Sequence, residues 1–105
     1  MNKYLVSIVC ILLFSAQQVL ANPISPSCSY KGIPLYGRVK VVDSLADFNV
    51  RRVSSMEDLK VKQVSSFANS CGRWQFVDSF PDFTIKYVDS IADFSIRFVD
   101  SLEGI

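Results

Sequence analysis

Three pairs of carboxylates stand four residues apart, Asp43/Asp47, Asp78/Asp82 and Asp89/Asp93, each with a serine after the first acid. Such pairs could do two kinds of chemistry. Calcium takes about six to eight oxygen ligands converging on one point, and two acids about 5–10 Å apart can hydrolyse a glycosidic bond. Against both, nothing singles out one pair, and Ser54 and Ser65 replace the first acid in two further copies of the pattern. A turn tolerates that exchange and a cation site does not. Short Asp and Ser oxygens accept hydrogen bonds from backbone N–H groups a few residues on, and Pro81 presets a bend. The acids therefore read as turn caps, with no metal and no cofactor.

Aromatic residues are the next candidates. Phe76, Tyr87 and Phe98 share one position of a repeat, where earlier copies carry Val41, Arg52 and Gln63. If exposed, this row plus Trp74 forms a flat binding surface for a sugar or a protein. If buried, it is core. The basic residues Lys40, Arg51, Lys62, Lys86 and Arg97 recur once per unit among the acids and read as a mixed, solvated rim. Histidine, the commonest general base and metal ligand, is absent. With a formal charge of only +1, the chain lacks the basic surplus from which nucleic-acid recognition starts.

The N-terminus supplies context. Lys3 precedes an apolar run from Leu5 to Phe14, and Val19-Leu20-Ala21 has the small or aliphatic residues that a signal peptidase reads. Residues 1–21 are thus expected to be a secretory signal peptide, residues 22–27 an extended leader and residues 28–105 a single domain. Gln17 and Gln18 interrupt the apolar run before it reaches the about 20 residues of a membrane span. No membrane span is expected after cleavage, and the mature protein is expected in the periplasm or outside the cell. Cys10 leaves with the signal. Cys28 and Cys71 remain, and in an oxidising compartment they are expected to form a disulfide.

The elements that position these residues follow from the repeat. Val42, Val53, Val64, Val77, Val88 and Val99 are spaced by 11 residues, except for 13 between Val64 and Val77. Each is followed by Asp or Ser, then Ser, then a large apolar residue: Leu45, Met56, Phe67, Phe80, Ile91 or Leu102. A longer period of 35 residues contains this one and lays Gly37-Arg38 on Gly72-Arg73, so the chain makes two laps of about three units each. Phe83-Thr84-Ile85-Lys86-Tyr87 and Phe94-Ser95-Ile96-Arg97-Phe98 alternate apolar and polar, as a half-buried strand does. The fold class is therefore all-β, with short strands joined by Asp-Ser turns. Val88 falls on the polar parity of its strand, which implies burial at both faces of the strand ends and a closed architecture without open edges.

The segment Cys28-Ser29-Tyr30-Lys31-Gly32-Ile33-Pro34-Leu35-Tyr36-Gly37-Arg38, the segment Cys71-Gly72-Arg73-Trp74-Gln75-Phe76 and the repeated Val-Asp-Ser units resemble the bacterial septoil knot family. The resemblance covers nearly the whole mature chain. It implies a small exported β protein whose backbone forms a seven-crossing torus knot, and it implies no activity. A knot of this type runs twice around a ring, so the two laps would be its two circuits, paired strand to strand.

Together these readings point to a non-enzymatic binding or structural module of the cell envelope or extracellular space, with a protein or glycan partner. The alternative is a small secreted hydrolase using one of the Asp pairs. An exposed aromatic row favours the first; a cleft holding two isolated carboxylates favours the second.

Overall fold

Six of the eleven-residue units supply one strand each. In the computed structural model, which describes residues 22–105, these are β3 (Gly37–Val41), β4 (Phe48–Arg52), β5 (Leu59–Gln63), β6 (Arg73–Phe76), β7 (Phe83–Tyr87) and β8 (Phe94–Phe98). They follow a two-stranded antiparallel hairpin, β1 (Ser29–Tyr30) and β2 (Ile33–Pro34). No helix occurs among the described residues. The expected signal peptide at 1–21 lies outside them.

The six long strands close into a barrel in the order β3-β6-β5-β8-β4-β7, and every neighbouring pair is parallel. Strands of the first lap alternate with strands of the second all the way round. The two laps are thus interlaced, each strand paired on both sides with the other circuit, as the two-circuit expectation requires. Closure also leaves the barrel no bare edge.

Parallel neighbours ordinarily need a crossover of about a dozen residues or more. Here six suffice in four of the five connections, because each of those steps over a single strand, whereas residues 64–72 join the neighbours β5 and β6 directly. Val41 pairs with Ile85 on one side of β7, and Phe48 pairs with the same Ile85 on the other, so residues 42–47 straddle β7. Ile96 is likewise flanked by Arg52 and Leu59, Val39 by Phe76 and Phe83, and Val50 by Tyr87 and Phe94. The connections pass on the outside, since the interior is filled by side chains.

The repeated valines begin these connections. The N–H of Val42, Val53, Val77, Val88 and Val99 donates to the carbonyl of Ile85, Ile96, Val39, Val50 and Val61 respectively, at 2.8–3.0 Å. All six valines, Val64 included, lie just past the end of a strand and are half-buried. The parity conflict at Val88 therefore disappears: the strand stops at Tyr87, and alternation no longer applies to Val88.

Alternation does govern the strands themselves. Val39, Val50, Val61, Trp74, Ile85 and Ile96 point inward at mid-strand and are fully buried. Phe48, Leu59, Phe83 and Phe94 form a second buried ring at the strand starts. Each large side chain so enclosed contributes about 1.5–3 kcal/mol of transfer free energy. Tilted aromatic contacts at 5.5 Å join Phe48 to Phe83 and to Phe94.

The N-terminal segment plugs this end of the barrel. Tyr30 packs on Phe48 and Phe94 at 5.6 and 5.5 Å between ring centroids. Leu35 is fully buried, and its carbonyl accepts the indole N–H of Trp74 at 3.1 Å. The expected Cys28–Cys71 disulfide is present, with Cα atoms 5.8 Å apart, and ties the plug to the joint between the laps. Residues 22–27 are more than an extended leader. Ile24 is buried, and the Asn22 amide donates to the carbonyl of Asp58 at 2.9 Å.

Candidate functional site

In the four units that carry a second acid, that acid is consumed by the backbone it crosses. The Asp82 carboxylate accepts the N–H of Arg38 at 2.8 Å, and Asp93 accepts that of Asn49 at 2.8 Å. Asp47 accepts the N–H of Thr84 at 2.8 Å and Asp58 that of Ser95 at 2.9 Å, with the Thr and Ser hydroxyls donating to the same oxygens at 3.2 Å. Hydrogen bonds to an ionised acceptor are roughly twice as strong as neutral ones. Each of these acids therefore pins its connection to the strand beneath. The first acids, Asp43, Asp78, Asp89 and Asp100, are exposed to solvent. Among the described residues no group of three or more His, Cys, Asp or Glu side chains is placed to hold a metal ion.

Outward-facing bases and acids form a mixed surface. Arg97 donates to both carboxylate oxygens of Glu57, at 2.8 and 3.3 Å, and Lys60 stands 3.8 Å from the same group. The Arg97 hydrogen bond holds the Glu57 carboxyl below its ordinary range, and Glu57 in turn raises that of Arg97. The Nζ of Lys40, Lys62 and Lys86 lies in no ion pair within 4 Å among the described residues.

The aromatic row divides. Trp74 is fully buried, so it belongs to the core and supplies no surface. The remaining three line the inside of the barrel at the strand ends, opposite the plugged end. Phe76 and Tyr87 are half-buried, whereas Phe98 is 40% exposed. Phe76 packs between Trp74 and Phe98, with centroids 6.1 and 6.2 Å away. Tyr87 is covered by Arg52, whose guanidinium carbon lies 4.3 Å from the ring centroid. Burial raises the Tyr87 hydroxyl above its ordinary value, and Arg52 offsets part of that rise. Beside Phe98 the surface opens into a groove of about 610 Å³ lined by Lys62, Gln63, Ser65 and Asp100 among others.

The repeat holds a further set of candidates that the sequence reading left without a role. The large apolar residue in each connection points into solvent: Leu45 is 99% exposed, Met56 94%, Phe67 76%, Phe80 82%, Ile91 94% and Leu102 86%. Five of them have φ between 51° and 60°, a left-handed conformation that costs a residue with a Cβ roughly 1–2 kcal/mol. Ile91, the one β-branched member, stays out of that region, where branching at Cβ makes it a true outlier. A polar residue, or glycine, would satisfy both solvent and backbone at these six places. Their position inside Asp-Ser turn stretches was the available signal.

The 7(1) septoil knot domain model matches residues 32–105. The chain belongs to that family. The match runs from the β1–β2 turn to the last residue, and so takes in every barrel strand of the septoil knot domain and both laps. A search of curated proteins found no match.

Proposed function

We propose that this septoil knot domain is an exported, non-enzymatic binding module of the cell envelope or extracellular space, with a protein or glycan partner. The observation that carries the reading is the set of six apolar tips, 76–99% exposed and mostly held in a left-handed backbone conformation. Surfaces that hold large apolar groups out in water at a conformational cost mark interaction sites. The disulfide and the signal peptide expected at 1–21 support export, since disulfides persist outside the reducing cytoplasm. Among the described residues no helix is long and apolar enough to cross a membrane.

Two measurements test it. The N-terminal residue of the full chain expressed in bacteria is expected to be Asn22; a chain recovered from the cytoplasm with Met1 intact overturns export. The tagged full chain is expected to retain partner material from envelope or medium fractions. A variant with Leu45, Phe67, Phe80 and Leu102 changed to serine should lose that material while still melting cooperatively. Recovery of the same material by both forms overturns the binding role of the tips.

A further inference from the structure

The groove at Phe98 has an internal counterpart one repeat away. Shifting by eleven residues lays Phe98 on Tyr87, Gln63 on Arg52, Lys62 on Arg51 and Asp100 on Asp89. The pairing geometry is equivalent as well, because Val61 pairs with Phe98 as Val50 pairs with Tyr87. In the Tyr87 unit the chain fills the space itself, with the Arg52 guanidinium over the ring at 4.3 Å. In the Phe98 unit Gln63 is shorter and uncharged. The ring stays 40% exposed, and about 610 Å³ opens beside it.

We infer that the Phe98 groove is a docking site for a guanidinium group, an arginine side chain of a partner protein taking the place that Arg52 takes at Tyr87. A planar cation is drawn to an aromatic face by the quadrupole of the ring. Asp100, in the groove lining, supplies the opposite charge. Lys62 also lines the groove; its counterpart Arg51 stands next to the Arg52 that does occupy the Tyr87 unit, so an adjacent cation is compatible with this arrangement. The third equivalent position, Val41 with Phe76, offers no such opening, because Phe76 is held between Trp74 and Phe98. None of the six exposed tips lines this groove, and its test leaves them unchanged.

The probe is N-acetylarginine methylamide, titrated into the oxidised full-length protein and followed by NMR. Saturable shifts are expected at Gln63, Phe98 and Val99, with a weak, millimolar affinity. Gln63→Arg should abolish them by filling the groove from within, and Asp100→Asn should weaken binding several-fold. Arg52→Gln should create a second set of shifts at Tyr87 and Val88. Absence of saturable shifts at Phe98, unchanged binding in Gln63→Arg, or no new site in Arg52→Gln overturns the inference. Shifts at Phe98 with methyl glucoside but not with the arginine probe also overturn it, in favour of a glycan.

Discussion

The Asp82 carboxylate binds the backbone N–H of Arg38 at 2.8 Å, while the Arg38 guanidinium stands 4.0 Å away with both side chains about half exposed. The contact that joins these residues is therefore to the main chain, and the ion pair is marginal. Asp82→Ala should lower unfolding free energy by about 1–2 kcal/mol, since the backbone donor loses a charged acceptor. Arg38→Ala should cost less than about 0.5 kcal/mol. Urea unfolding of both variants measures the difference; equal costs would mean that the salt bridge matters as much as the backbone bond.

Gly37 lies beneath the same carboxylate. A Cβ added there would fall on Asp82, and φ at this position is 122°. Gly37→Ala should cost more than about 1 kcal/mol. The steric share of that cost should vanish in the Asp82→Ala background, giving a coupling of about 0.5–3 kcal/mol in a double-mutant cycle. Additive costs would show that the backbone conformation alone penalises the alanine.

The exposed tips are expected to trade stability for surface. Leu45→Asn removes almost no buried area and relieves the left-handed penalty, so stability should hold or rise by up to about 1 kcal/mol. Leu59→Ala, a core control, should lose about 2–5 kcal/mol. Thermal and urea midpoints of the two variants check this; a clear destabilisation by Leu45→Asn would assign the tips a structural role.

Glu57 makes one contribution to stability depend on pH. Its carboxyl is held low chiefly by the Arg97 hydrogen bond, so the stabilisation is complete above the ordinary carboxylate value. It is lost as pH falls through the lowered, folded value. The melting-temperature gap between the native protein and Glu57→Gln should be widest at neutral pH and should close in acid. A gap independent of pH would show that the interaction does not act through ionisation.

The disulfide closes a long loop, with a sequence separation of 43. Replacing Cys28 and Cys71 with serine should cost about 4 kcal/mol by loop entropy and loosen the plug formed by Ile24, Tyr30 and Leu35. Denaturant midpoints measure the first effect, and hydrogen exchange at Tyr30 and Leu35 the second.

Much of this architecture was legible because the sequence states it six times. Alternation in Phe83 to Tyr87 gave the strands, the Asp-Ser stretches gave the turns, and the cysteine pair gave the bridge. The 35-residue shift gave two laps, and the family resemblance supplied their winding. For Trp74 the sequence leaves surface and core both open, although that same shift lays it on Val39, an inward position, because an aromatic beside Phe76 reads as part of a row. The tips were missed for a different reason. A large apolar residue in a sequence ordinarily signals core, and only the backbone angle and exposure at Leu45 or Phe80 reveal the opposite. Arg52 and Gln63 looked like mere departures from the repeat until the ring beside each could be seen covered or bare.

The alternation of the two circuits has a consequence for how such a chain can be divided. A single lap owns three strands whose neighbours all belong to the other lap, so on its own it would have every strand bare on both sides. A fragment of that length could close a barrel only by recruiting a second copy of itself. The present protein is, in this respect, a dimer written into one chain, with Cys71 and Gly72 standing where two subunits would otherwise end and begin.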